Sequence, residues 1–127
     1  MSKSYGNTIE ISESEDSLKA KVMSMYTDPP RIKKDDPGHP EPCEKNPPGC
    51  SVFALHKLYG DAPFVANRKQ ECQAGQIGCV ACKKDLLAEI QVPCADFRRR
   101  REGYARDGAL VPDLLAAGAK KARAMAC

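Results

Sequence analysis

Residues 50–60 read CSVFALHKLYG, and this stretch decides the class of fold. Val52, Leu55, His56 and Tyr59 fall three or four positions apart, which places them on one face of a helix, and Gly60 is positioned to end it. Towards the N-terminus, Ser14 can cap a helix starting at Glu15, whose acidic first turn suits the positive helix end; Leu18, Val22 and Tyr26 then recur every fourth residue. That helix stops at Thr27-Asp28, because Pro29-Pro30 cannot continue it. Residues 35–50, DDPGHPEPCEKNPPGC, hold Pro37, Pro40, Pro42, Pro47 and Pro48 and form a Pro-rich loop. Towards the C-terminus, helices fit Ala62–Glu71, Cys79–Gln91, Cys94–Arg106 and Asp113–Ala126, separated by Gly75, Gly78, Pro93 and Gly108. No strand pattern and no fixed-period repeat emerges. The expected fold is all-α, a small array of five or six helices with one Pro-rich excursion.

A chain of 127 residues fits one domain with a small core. No apolar run approaches the ~18 residues that cross a bilayer, and the N-terminus has no charged n-region or apolar h-region. A soluble, cytoplasmic protein that makes no membrane contact is expected. The net charge of +3 is unevenly spread: residues 1–81 carry 10 Lys/Arg against 11 Asp/Glu, residues 82–127 carry 10 against 6. The excess includes Arg98, Arg99, Arg100 and Arg101, then Lys120, Lys121 and Arg123, and it suits either an anionic partner or a solvated helix face. The four arginines span all sides of a helix, so they do not share one ligand.

The seven cysteines carry the sharpest chemical signal. Without a secretion signal and with an odd count, a disulfide framework is disfavoured and metal thiolates are favoured. Cys79 and Cys82 form a C-x2-C, preceded by Cys72 and Cys50 in the pattern C-x21-C-x6-C-x2-C. Four thiolates serve a tetrahedral Zn2+ or a [4Fe-4S] cluster. A thioredoxin-like redox pair needs a βαβ context that this pattern lacks, and plain buried thiols are the remaining reading. Cys43 stands seven residues before Cys50 and can replace it as first ligand, whereas Cys94 and Cys127 have no partner by spacing. His39 and His56 receive no role, a satisfied buried imidazole being commoner than a ligand.

The segments MSKS, YGNTI, KVMSMYTDP, DDPG, CSVFALHKLYG, GCVACKKDLLAEI and GAKKARAMA, in this order, resemble the C-terminal part of bacterial tryptophan–tRNA ligases, class I aminoacyl-tRNA synthetases. The resemblance covers essentially the whole chain. It implies a remnant of the ATP-binding signature loop at 1–13 and a helical anticodon-binding domain at 14–127, the family's parallel-sheet nucleotide-binding domain being absent. The signature loop is Lys-Met-Ser-Lys-Ser; this chain supplies Met1, Ser2, Lys3 and Ser4 and lacks the first lysine. Lys3 matches the second lysine, implied to be catalytic by meeting the charge that grows on pyrophosphate as tryptophan attacks ATP. Ser2, Lys3 and Ser4 are implied to bind the ATP phosphates, with Mg2+ in the full enzyme, and Gly6 to let the loop close.

The resemblance also implies that Cys50, Cys72, Cys79 and Cys82 hold a structural [4Fe-4S] cluster, with Zn2+ as the alternative. PEPCEKNPPGCSVF looks like the family's Pro-Glu-x-Cys-x-Val-Phe with a seven-residue insertion, and Cys50 keeps the Cys-x-Val-Phe half. The implied partners are tRNA(Trp), with tryptophan and ATP bound through the missing domain, and a homodimer is expected of the full enzyme. The isolated chain is expected to be inactive. A stand-alone thiolate–metal module that contacts RNA or protein without catalysis is the competing reading.

Overall fold

The structure, a computed structural model, describes residues 3–126, and Met1, Ser2 and Cys127 lie outside the described residues. After a 3₁₀ turn at Lys3–Tyr5 come α1 (Glu15–Ser24), α2 (Ser51–Tyr59), α3 (Ala62–Gln73), α4 (Cys79–Arg106) and α5 (Leu110–Ala126). No strand occurs among the described residues. No helix is long and apolar enough to cross a membrane.

Helix α1 begins where Ser14 accepts a hydrogen bond from the Ser17 amide at 3.3 Å, with Glu15 and Asp16 in the first turn. It ends at Ser24, so Tyr26 does not extend its apolar face as the four-residue spacing predicts. The backbone turns extended at Met25 ahead of the proline pair, and the half-exposed Tyr26 instead donates its hydroxyl to Asn46 Oδ1 at 3.3 Å. Leu18 and Val22 of α1, Val52 of α2, and Leu86, Ile90 and Cys94 of α4 form the core. These α4 residues recur every fourth position and make one stripe, against which α1 and α2 pack, while α3 packs on α2.

Two helices expected on either side of Pro93 are one: α4 runs without a break from Cys79 to Arg106. An interior proline removes one helical hydrogen bond and clashes with the carbonyl four residues back, costing ~3 kcal/mol. Packing on both sides of the proline offsets that cost. Ile90 and Cys94 are buried on the α1 side, and Arg98 reaches the Glu13 carbonyl at 3.0 Å and the Glu15 carboxylate at 3.2 Å. Helix α5 starts three residues earlier than Asp113, because Asp107 Oδ1 accepts from the Ala109 and Leu110 amides and Pro112 is tolerated in a first turn. None of its residues is buried.

Between α1 and α2 the chain is held by two buried polar side chains. Asn46, 1% exposed, donates to the Thr27 and His39 carbonyls at 3.3 and 3.0 Å. Asp28, 6% exposed, accepts from the His39 amide at 2.6 Å and lies 3.0 Å from its Nδ1. The Pro40 carbonyl accepts from the Cys50 amide at 3.0 Å and the Cys72 carbonyl accepts from the Gly38 amide at 2.9 Å. Glu41 pairs with Lys57 at 2.9 Å and with Lys69, joining the segment to α2 and α3. The segment thereby brings the start of α2 against the end of α3.

Candidate metal centre

Three helix ends meet beneath that segment. Cys50 is the N-cap residue of α2, Cys72 sits in the last turn of α3, and Cys79 and Cys82 occupy the first turn of α4. The i, i+3 spacing puts Cys79 and Cys82 on one side of α4. All four side chains line one cavity, whose remaining wall includes Asp28, Arg31 and the apolar Val52 and Ile77. Every pair among the four sulfurs is close enough for one thiolate to disfavour another. Cys43 is exposed and does not line the cavity, and Cys94 is packed into the core.

Burial pushes the Cys50 and Cys72 thiols up from their ordinary range and Cys82 up to about 12. Arg31 opposes this at Cys72 and Arg68 opposes it at Cys82. These two guanidiniums each keep a buried Nε without a partner, and Asp28 keeps an unpartnered Oδ1. Four soft thiols, a partly apolar wall and the Arg31 guanidinium with its unpartnered Nε–H fit a thiolate-ligated metal group, while the Asp28 carboxylate on the same wall opposes added negative charge. The cavity has a volume of about 20 Å³, near that of one water. As the side chains stand, no three His, Cys, Asp or Glu groups among the described residues are placed to hold a single ion.

Two glycines allow the close approach. At Gly75 the backbone is left-handed, φ +69°, and a Cβ there would lie 2.2 Å from the Asp35 carbonyl oxygen. At Gly38 a Cβ would lie 2.5 Å from the Cys72 sulfur.

The remaining expected site residues belong to the start of the chain. Lys3 opens the 3₁₀ turn, Ser4 is exposed within it, Gly6 follows with φ +63°, and Ser2 is outside the described residues. The arginine run is partly consumed internally: Arg98 pairs with Glu15, while Arg99 and Arg100 both pair with Asp96. Those two pairs hold the Asp96 carboxyl below its usual range, chiefly through Arg100.

His56 was given no role from sequence, yet its imidazole is fully buried beside the centre. Its Nε2 lies 3.3 Å from Cys82 Sγ and 3.2 Å from the Cys82 carbonyl oxygen, and its Nδ1 lies 2.9 Å from Glu89 Oε2. The signal available in the sequence was the seven-residue interval from Cys82 to Glu89, two helical turns that align both on one face of α4. Arg68, 8% exposed, carries no local sequence signal of its role; it pairs with Asp85 at 2.9 Å and stacks 4.9 Å above the Phe64 ring, tying α3 to α4.

Comparison with known proteins agrees along the whole chain. Residues 1–92 match the family model described as tRNA synthetases class I (W and Y). The tryptophan–tRNA ligase of Aquifex aeolicus is 37% identical over 127 residues, 99% of this chain and 30% of that protein. The tryptophan–tRNA ligase of Lactococcus lactis is 41% identical over 129 residues, 99% of this chain and 36% of that protein. The crystal structure of tryptophanyl-tRNA synthetase from Campylobacter jejuni superposes with a TM-score of 0.82 at 28% identity, covering 99% of this chain and 38% of that one. The same enzyme complexed with ADP and tryptophan gives a TM-score of 0.79. The chain thus spans about a third of the length of these relatives.

Proposed function

Because the chain belongs to the class I tRNA synthetases of the tryptophan and tyrosine family, we propose that it is the helical, C-terminal part of a tryptophan–tRNA ligase. In that role residues 14–127 recognise the anticodon of tRNA(Trp), and residues 1–13 contribute part of the ATP-binding loop. The observation that carries this reading is the helical superposition over 99% of the chain on a tryptophanyl-tRNA synthetase. Lys3 would meet the negative charge developing on pyrophosphate, and Ser2 and Ser4 would hydrogen-bond phosphates or order the loop. Tryptophan, ATP with Mg2+ and the homodimer contacts belong to the remaining two-thirds of such an enzyme.

Cys50, Cys72, Cys79 and Cys82 would hold a [4Fe-4S] cluster, which supplies structural cross-linking here and no redox step in the ligation. On ligation the buried thiols would release their protons and stand as thiolates, and Arg31 and Arg68 would offset part of the added charge. The closure of the 25–50 segment over α3 and α4 would depend on that centre, and with it the surface offered to the anticodon.

The test is binding of tRNA(Trp) and of the same tRNA with an altered anticodon. Tighter binding to the tryptophan anticodon, with affinity that falls steeply as salt rises, is expected of a fold that meets single-stranded bases and phosphates. Equal binding to both tRNAs contradicts anticodon recognition. The chain alone is expected to give no tryptophan-dependent pyrophosphate exchange, and measured turnover would overturn that part.

A further inference from the structure

We propose that His56, oriented by Glu89, is a positioning residue for Cys82: it presents Nε2 to the Cys82 sulfur as a hydrogen-bond donor and so tunes any metal group the four cysteines hold. The proposal rests on the four-cysteine reading above.

The imidazole is fixed from three sides. Glu89 Oε2 of α4 takes Nδ1 at 2.9 Å, the Phe64 ring of α3 packs 5.5 Å away at 47°, and Cys82 lies beyond Nε2. Since a carboxylate only accepts, Nδ1 carries a hydrogen towards Glu89. On the other side Nε2 faces the Cys82 carbonyl oxygen at 3.2 Å and Sγ at 3.3 Å. A free thiol can donate to Nε2, but a ligating thiolate has no proton and only accepts. With Cys82 coordinated, both atoms opposite Nε2 are acceptors, and an N–H there satisfies them; with Nδ1–H on Glu89 the ring then carries both hydrogens and the Glu89 carboxylate balances its charge.

A Cys–His–Glu order also describes an activated nucleophile, and the structure argues against that use. The imidazole is fully buried and burial disfavours the free thiolate that such a nucleophile needs. What the arrangement does suit is outer-sphere support of a metal ligand. Such partners fix ligand orientation, and hydrogen bonds to ligating sulfur draw off charge and raise a cluster's reduction potential. Among the four cysteines, Cys82 is the one whose sulfur lies within hydrogen-bonding distance of an imidazole.

The experiment compares the 127-residue chain with His56→Phe, His56→Gln and Glu89→Gln after anaerobic incubation with ferrous iron and sulfide. Iron and acid-labile sulfide content, loss of iron to a chelator, and the midpoint potential are read, with far-ultraviolet circular dichroism as the folding check. His56→Phe fills the ring's space without the N–H; it should retain iron roughly 10–100-fold less well and shift the midpoint to more negative values. His56→Gln, which keeps an N–H, should recover part of both losses. Glu89→Gln, at a site 21% exposed and nearly isosteric, should shift the midpoint in the same direction by less. It carries the test if His56→Phe does not fold. Should the parent take up zinc in place of iron, competition with a chromophoric chelator reads the same order of affinities. A parent that holds metal while the folded variants match it in retention and potential overturns the inference alone. A parent that holds neither iron nor zinc overturns the four-cysteine reading together with it.

Discussion

Replacing Gly38 by alanine tests the metal centre through a single methyl group. Gly38 is buried, and its amide donates to the Cys72 carbonyl at 2.9 Å. A Cβ built there would stand 2.5 Å from Cys72 Sγ, 3.0 Å from the Cys72 carbonyl oxygen and 3.4 Å from an Arg31 nitrogen. Non-bonded heavy atoms settle at about 3.5–4.0 Å, so the sulfur must withdraw by about 1 Å or the 25–50 segment must lift. Metal–ligand distances tolerate about 0.2 Å, several times less than that displacement. The metal-free chain should lose about 1–3 kcal/mol to overpacking, read by urea unfolding. Metal retention should fall roughly 10–100-fold, as when a ligand's support is removed. Gly78→Ala is the control: its Cβ would meet nothing nearer than Lys34 Cβ at 3.9 Å, although Gly78 adjoins Cys79. That variant should keep parental metal retention at a capping cost below about 1 kcal/mol. Parental retention by Gly38→Ala would refute the reasoning, because Cys72 Sγ would then not be confined where the geometry puts it.

Three further outcomes follow from the same structure. Leu86→Ala empties a fully buried position in the α4 stripe and should cost about 2–5 kcal/mol in urea unfolding, with α-helical signal retained below the transition. Cys50→Ser should abolish metal retention while Cys43→Ser leaves it at the parental level, since only Cys50 lines the cavity; elemental analysis of both decides. In acid, Lys69 and Lys57 hold the Glu41 carboxyl at about 2, below its ordinary 4.5. A depressed carboxyl stabilises the fold above its unfolded value and loses that contribution as pH falls towards 2. Unfolding followed from pH 6 down to about 2 should therefore show Glu41→Gln losing less stability than the parent over that window.

The helical class and three of the helix starts were legible because apolar spacing and caps act locally. Ser14, Asp61 and Gly78 stand at helix N-caps, and Val52, Leu86 and Ile90 keep the period of a buried face. Pro93 misled because a local rule was outweighed by burial on both sides of it. Spacing paired Cys79 with Cys82 through C-x2-C and placed Cys72 seven positions before Cys79, while the choice of Cys50 over Cys43 as first ligand came from the family resemblance. His56, Asn46, Asp28 and Arg68 were illegible for the opposite reason. Each takes its partner from a distant part of the chain, and a lone polar residue shows in sequence neither its burial nor its partner. The arginine run looked like one basic surface, yet three of its members pair with Asp96 and Glu15, whose two carboxylates offset two of those three charges.

Elemental analysis with an optical spectrum on the chain purified without oxygen decides whether Cys50, Cys72, Cys79 and Cys82 form one metal centre. Iron and acid-labile sulfide are expected in equal amounts, about four of each per chain, with broad visible sulfur-to-iron absorption that is lost in Cys82→Ser. A colourless chain carrying zinc would contradict the cluster, and a chain carrying neither metal would contradict the centre itself.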